Sequence, residues 1–180
     1  MKLLRTIRLD PSDTFIFEKA AAPGEWAVSG AFAFWQRDPG TLEGKVRSAF
    51  RGGFLGVDSL GWSTLAQIVE ANEADRAKVV EALARQLVRS FGAPDLPAAA
   101  AAAEDEVAFV ESLCTPPPDS LIAVHRVFED GAVREAFRAL RPRSGAKPAR
   151  VFSFLEVEGE DDDEPGEEVD LIAMAERERK

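Results

Sequence analysis

The chain contains one histidine, His125, one cysteine, Cys114, and no tyrosine. A tetrahedral zinc site needs four nitrogen or sulfur ligands, so these two side chains cannot build one. His125 is a candidate general base in a pocket, because histidine titrates near neutral pH. A base also needs a substrate group within hydrogen-bond reach. The alternative is a half-buried histidine that completes a sheet face.

Two further side chains resemble reactive groups but lack the surroundings that reactivity needs. Cys114 falls near the C-terminal end of a predicted helix, where the helix dipole disfavours a thiolate, so we interpret it as a core residue. Ser59 lies between Gly56 and Gly61, whereas a nucleophile elbow needs glycines two residues before and after the serine. No phosphate-loop or other cofactor motif is present, so we expect no cofactor and no metal.

A run of basic residues between positions 132 and 150 is a candidate anion-binding face, opposed only by Glu135. Its occupant could be a partner's acidic group or the chain's own acidic end. The alternative is a set of solvated charges that keep a sheet edge soluble. The candidate residues are Arg134, Arg138, Arg141, Arg143, Lys147 and Arg150.

The net charge of −10 is concentrated at the C-terminal end. Residues 156–180 contain 12 acidic and 3 basic side chains, and the rest of the chain is close to neutral. Like charges this dense repel one another, so we predict a globular domain over 1–157 and an acidic mobile tail over 158–180. A short helix at the end of this tail would fold only on docking. Its apolar stripe supplies the candidate partner-binding residues Val169, Ile172 and Ala173.

Charge also argues against two classes of partner. A near-neutral body with an acidic tail would oppose a phosphate backbone, so we expect no nucleic acid. The first ten residues contain four charges, which excludes a signal peptide or membrane span there, so we expect no membrane contact. A lone cysteine fits a reducing compartment, and we expect a cytoplasmic protein.

Hydrophobic periodicity indicates the elements that position these residues. Extended segments are predicted in the first third of the chain, at Leu3–Leu9, Phe15–Phe17 and Trp26–Trp35. A short helix over 41–51, capped by Thr41, and a strand over 62–70 follow.

Two helices are predicted next. Asn72 is the expected cap of a helix over 73–91, and Asp95 is the expected cap of a second helix that ends before Pro116. The apolar stripe of the first helix comprises Val80, Leu83, Leu87, Val88 and Phe91.

The Asp130-Gly131 pair predicts a β-hairpin with a two-residue type I′ turn, and a helix over 132–140 is the alternative. A last strand is predicted over 150–157. The hairpin register would place Glu129 opposite Ala132, Phe128 opposite Val133, Arg126 opposite Glu135 and Val124 opposite Phe137.

These elements predict an α+β fold, with an antiparallel or mixed sheet and a central helical pair packed on one face. No internal repeat and no parallel βαβ alternation is present. Fold class alone assigns no activity.

Several segments resemble those shared by a small bacterial protein family of unknown function, across nearly the whole body. The resemblance implies an accessory role, because such proteins resemble those encoded near formate-dehydrogenase-type molybdoenzyme genes and a biotin/lipoate-ligase-like protein. It carries no catalytic residues to transfer. The segments are MKLLRTIRLDPSDTFIFE, GEWAVSGAFAFW, GFLGVDSLGWSTL, LIAVHR and REAFRALRPR.

The function favoured at this point is a non-catalytic accessory or adaptor protein that binds another, unidentified protein. Maturation of a molybdoenzyme is the process that the resemblance implies, and homo-oligomerisation stays open. The alternative is a small enzyme that uses carboxylates or His125 in a pocket.

Overall fold

The computed structural model describes residues 1–142 and 155–157. Its strands are β1 (Lys2–Ile7), β2 (Trp26–Val28), β3 (Phe54–Gly56), β4 (Trp62–Ser63), β5 (Leu65–Glu70), β6 (Leu121–Glu129), β7 (Ala132–Pro142) and β8 (Leu155–Val157). They form one sheet in the order β4-β3-β2-β1-β5-β6-β7-β8, and each neighbouring pair is antiparallel. The α-helices are α1 (Ser12–Ile16), α2 (Gly44–Gly52), α3 (Glu73–Ser90) and α4 (Leu96–Leu113). The predicted α+β fold is confirmed.

The sheet is strongly curled. Four strands separate β3 from β7 in the sheet order, yet the rings of Phe54 and Phe137 lie 6.2 Å apart between centroids. The paired helices α3 and α4 pack against the sheet in one core with Leu4, Ile68 and Ile122. Small side chains of α4 allow this close packing. The curl brings residues that are far apart in sequence to one end of the molecule.

The caps predicted for α3 and α4 are confirmed. The Asn72 side chain accepts from the backbone N–H of Asp75, whose carboxylate accepts from the Asn72 backbone N–H. The Asp95 carboxylate accepts from the Ala98 N–H at 2.8 Å. One residue of the predicted α3 stripe is misplaced, because Val88 is 40 % exposed.

The hairpin of β6 and β7 has the predicted register at all four residue pairs. Asp130 and Gly131 have φ values of 53° and 77°, as a type I′ turn requires. The alternative of a helix over 132–140 is therefore wrong. Of the predicted last strand, residues 155–157 form β8, and residues 150–154 lie outside the described residues.

In the first third of the chain, one predicted extended segment is wrong and another is too long. The segment Phe15–Phe17 largely belongs to α1, and the run from Trp26 stops at Val28. Gly30 has a φ of 78° and turns the chain into a 3₁₀ helix over Ala31–Phe34. A residue in the left-handed region cannot continue a strand. Gly30 therefore marks the end of the strand, although the aromatic residues around it are typical of a longer one.

Smaller corrections affect the neighbouring elements. The short helix begins at Gly44 with Glu43 at the cap position, and Thr41 belongs to a separate 3₁₀ turn. The strand over 62–70 is divided into β4 and β5. In β1, Leu4 is buried as well as Leu3, because the curled sheet is covered on both faces. Leu9 lies beyond the end of the strand and is 61 % exposed. Among the described residues, no helix is long and apolar enough to cross a membrane.

Candidate functional site

A buried arginine, Arg126 on β6, lies where the curl of the sheet closes, and its side chain is 0 % exposed. Its Nε donates to the Glu135 carboxylate at 2.6 Å. One terminal nitrogen donates to the carbonyls of Phe50 and Gly53 at 3.1 and 2.8 Å. The other donates to the carbonyl and the hydroxyl of Ser29. The five N–H groups of the guanidinium therefore have five acceptors.

These contacts join the C-terminal end of α2, the end of β2 and both strands of the hairpin. Burial lowers the pKa of Arg126, and the neighbouring Glu135 carboxylate acts in the opposite direction. A buried charge is tolerated only when it is paired and hydrogen-bonded, as it is here. We call Arg126, Glu135, Ser29 and Glu106 the Arg126 network, and its role is to hold α2 against the hairpin.

Glu106 of α4 completes the Arg126 network from the helical side. Its carboxylate accepts from the Gly30 N–H at 3.1 Å. Burial raises the pKa of Glu106 above the ordinary value of 4.5, and the negative charge of Glu135 acts in the same direction. The Gly30 and Ser29 N–H groups and the charge of Arg126 oppose this shift.

This raised pKa predicts a pH dependence of stability. Between pH 4.5 and the raised value, the folded state holds a proton that the unfolded chain has released. The free energy of unfolding contributed by Glu106 should therefore fall as the pH rises through that window. Urea unfolding of wild type and Glu106→Gln from pH 4.5 to 8 measures the effect. The Glu106→Gln variant should lack this decrease of the free energy of unfolding with pH. The Asp105→Asn variant, which changes an exposed residue of the same helix, should retain it.

A groove of 340 Å³ lies between α2 and the β6 side of the hairpin. Its apolar lining includes Leu42 and Phe128, and Phe128 is 39 % exposed. Its rim is basic, and we call it the basic groove. The residues that border it are Pro39, Gly40, Leu42, Arg47, Phe50, Arg51, Arg126, Val127, Phe128 and Glu129.

Arg47 and Arg51 give the groove its charge. Both are exposed, and neither has an ion-pair partner among the residues that the structure describes. Glu129 is the one acidic residue among the described residues that line the groove, and its Oε2 lies 3.7 Å from Nη1 of Arg134. Sequence reasoning missed this site. The available signal was the spacing of four between the two arginines in a short helix, GKVRSAFRG, that contains no acidic residue.

The structure locates only part of the predicted anion-binding face. Arg134 and Arg138 project from the same face of β7, and Arg134 donates to Asp130 at 3.3 Å. Arg141 lies in β7. The remaining predicted residues lie outside the described part of the chain: Arg143, Lys147 and Arg150, and in the tail Val169, Ile172 and Ala173.

His125 lies opposite Ala136, on the same face of the hairpin as Arg134 and Arg138. It is exposed, which is against the alternative of a half-buried histidine. Cys114 is buried, and its Sγ donates to the Val110 carbonyl at 3.2 Å. Burial raises the pKa of the Cys114 thiol to about 11, so the reactive thiolate is disfavoured at neutral pH.

The glycine-rich stretch around Ser59 forms a turn that encloses a buried carboxylate. Glu25 accepts from the N–H groups of Asp58 and Ser59, at 2.9 and 2.8 Å, and from the Ser59 hydroxyl. A Cβ at Gly56 would lie 2.4 Å from this carboxyl group, which explains the glycine. The serine is therefore a hydrogen-bond donor within the fold. Across residues 1–142 and 155–157, no three His, Cys, Asp or Glu side chains form a metal-ion cluster.

A second cavity, of 190 Å³, lies on the other side of α2. Three aromatic side chains contribute to its lining, and we call it the aromatic pocket. Its lining residues are Glu18, Ala33, Phe34, Arg37, Lys45, Val46, Ala49, Leu55, Leu60, Trp62 and Phe91.

Comparison with known proteins gives a family and no described activity. No curated protein matches the chain, and no solved structure matches it. The model of a family described as a family of unknown function, DUF6505, matches residues 1–154. This match spans the helices α1 to α4 and the strands β1 to β7. The chain therefore belongs to DUF6505, a family of unknown function, as the resemblance of its segments indicated.

Proposed function

We propose that this protein is a non-catalytic accessory protein that binds another protein through the basic groove. The observation that carries the proposal is the pairing of two exposed arginines, Arg47 and Arg51, with the apolar side chains Leu42 and Phe128. Arginine and aromatic side chains are enriched among the residues that dominate binding energy at protein interfaces. Neither arginine has an ion-pair partner within the described residues.

The chemistry of the groove favours an acidic segment with an apolar anchor. A guanidinium presents parallel N–H groups that match the two oxygens of a carboxylate. An apolar side chain of the same segment would cover Leu42 and Phe128 and remove them from water. Phe128 faces Val133 near the hairpin turn, and Val133 is also exposed, so the apolar contact can extend beyond the groove.

The tail and the identity of the partner belong to the same proposal. We propose that residues 158–180 supply a second contact through Val169, Ile172 and Ala173. The partner class implied by the family resemblance is a molybdoenzyme during its maturation. Affinity purification of the full chain from cells that produce it naturally would identify the partner by mass spectrometry.

Charge reversal tests the groove. The double variant Arg47→Glu and Arg51→Glu is expected to weaken partner binding at least about tenfold, because an acidic segment would then be repelled. The matched control is Arg85→Glu with Arg89→Glu, which places the same change at the same spacing on the exposed side of α3. Binding is measured by titration of the purified partner.

Three further results discriminate the alternatives. Undiminished binding by the groove variant would contradict the proposed site. Loss of binding on deletion of residues 158–180 alone would assign recognition to the tail. Loss of a catalytic turnover in His125→Ala, with partner binding preserved, would favour the enzyme alternative.

A further inference from the structure

The aromatic pocket has a floor that the fold holds rigid. The Trp62 ring lies 5.2 Å from that of Phe34 between centroids. Two glycines flank the same indole: a Cβ at Gly30 would lie 3.1 Å from it, and a Cβ at Gly53 would lie 2.7 Å from it. The close backbone approach leaves the indole little freedom, so the apolar floor is formed before any ligand arrives.

One wall of the pocket is held in an uncommon conformation. Leu60 has a φ of 55°, in the left-handed region that a leucine rarely occupies. Its turn is fixed by Glu25, which accepts from the backbone N–H groups of Asp58 and Ser59. Backbone conformations of this kind concentrate at binding and active sites. The buried carboxylate of Glu25 therefore stabilises a turn that presents Leu60 to the pocket.

Charged side chains surround the opening. Arg37 and Lys45 are exposed, and neither forms an ion pair with another described residue. Of the described residues that line the pocket, only Glu18 is acidic. The rim therefore has a net positive charge beside an aromatic lining, which favours an anionic group on an apolar body.

We propose that the aromatic pocket binds a small organic carboxylate with a flat, apolar body. The apolar part would lie on Trp62 and Phe34, and the carboxylate would lie between Arg37 and Lys45. The volume of 190 Å³ equals that of roughly six water molecules at about 30 Å³ each. It is large enough for a single ring and smaller than the cavities that usually hold drug-sized ligands. This site is separate from the basic groove and does not depend on the proposed function.

NMR of the full chain provides the test. The three tryptophans give three indole N–H resonances, of which Trp62 reports on the pocket and Trp26 serves as an internal control. Titration with phenylacetate is expected to shift the Trp62 resonance saturably. Phenethylamine, which has the same phenyl ring but an ammonium group on its side chain in place of the carboxylate, is expected to leave it unchanged.

Variants assign the binding to the pocket. Arg37→Ala and Lys45→Ala should each weaken phenylacetate binding about fivefold to tenfold, because each removes one cation from the carboxylate. The exposed residues Arg85 and Lys78 on α3 provide matched alanine controls, which should bind normally. Ala33→Leu should fill the pocket and abolish the shift.

The proposal would be overturned by any of three results. One is the absence of a saturable Trp62 shift with phenylacetate. Another is an equal response to phenethylamine. The third is unchanged affinity for phenylacetate in both Arg37→Ala and Lys45→Ala. Because these two side chains are exposed, their removal should leave the fold intact, even if Ala33→Leu does not fold.

Discussion

Replacement of Arg126 by alanine should lower the free energy of unfolding by about 3–5 kcal/mol, the usual cost of breaking a buried ion pair. The substitution leaves Glu135 without its guanidinium partner. It also leaves the carbonyls of Phe50 and Gly53 without the donor that satisfies them at the end of α2. Each buried acceptor without a partner adds to the cost.

Thermal and urea unfolding measure this effect. A loss of this size corresponds to a fall in Tm on the order of 10 °C for a chain of this length. Arg134→Ala is the matched control, because Arg134 is exposed and its ion pairs with Glu129 and Asp130 lie at the surface. Its expected cost is at most about 1 kcal/mol. Equal stabilities of the two variants would contradict a structural role for the Arg126 network.

Two adjacent glycines provide the second prediction. A Cβ at Gly53 would lie 2.7 Å from the Trp62 ring and 2.9 Å from the Ala49 carbonyl, whereas the first contact of a Cβ at Gly52 is 3.7 Å away. Gly53→Ala should therefore destabilise the protein by roughly 1–3 kcal/mol, the cost of overpacking. Gly52→Ala should be neutral or slightly stabilising, because alanine favours a helix more than glycine does.

Neither glycine has a positive φ, so the comparison separates steric contact from backbone strain. Urea unfolding of both variants gives the difference in free energy, and the Trp62 indole resonance shows whether the ring has moved. If Gly52→Ala were as damaging as Gly53→Ala, contact with the Trp62 ring would not account for the loss of stability.

The sequence predicted those parts of the fold that depend on local signals. Asn72 and Asp95 are side-chain caps, and their helices begin where these residues predict. The Asp130-Gly131 turn determines the pairing of β6 with β7, so the register followed from two residues. The pairing of Arg126 with Glu135 was part of that register.

The burial of that pair could not be predicted, because it depends on the curl of the whole sheet. Periodicity gives no measure of how far β3 approaches β7, and Arg126 is buried only because the ends of α2 and β2 close over it. The basic groove arises from the same closure, since α2 and the hairpin are about 80 residues apart in the chain. The length of the strand from Trp26 was predicted wrongly for a local reason. The aromatic residues after it favour a strand, whereas Gly30, with its positive φ, ends it.

Site-specific photocrosslinking in cells that produce the protein naturally tests the central claim most directly. Phe128 at the basic groove is replaced by p-benzoylphenylalanine, and Phe15, which is 72 % exposed on α1, receives the same replacement as the control. A protein that binds through the groove should crosslink at position 128, lose that crosslink when Arg47 and Arg51 are changed to glutamate, and not crosslink at position 15. A crosslink at position 15 with none at position 128, or one at 128 that survives the charge reversal, would contradict the account.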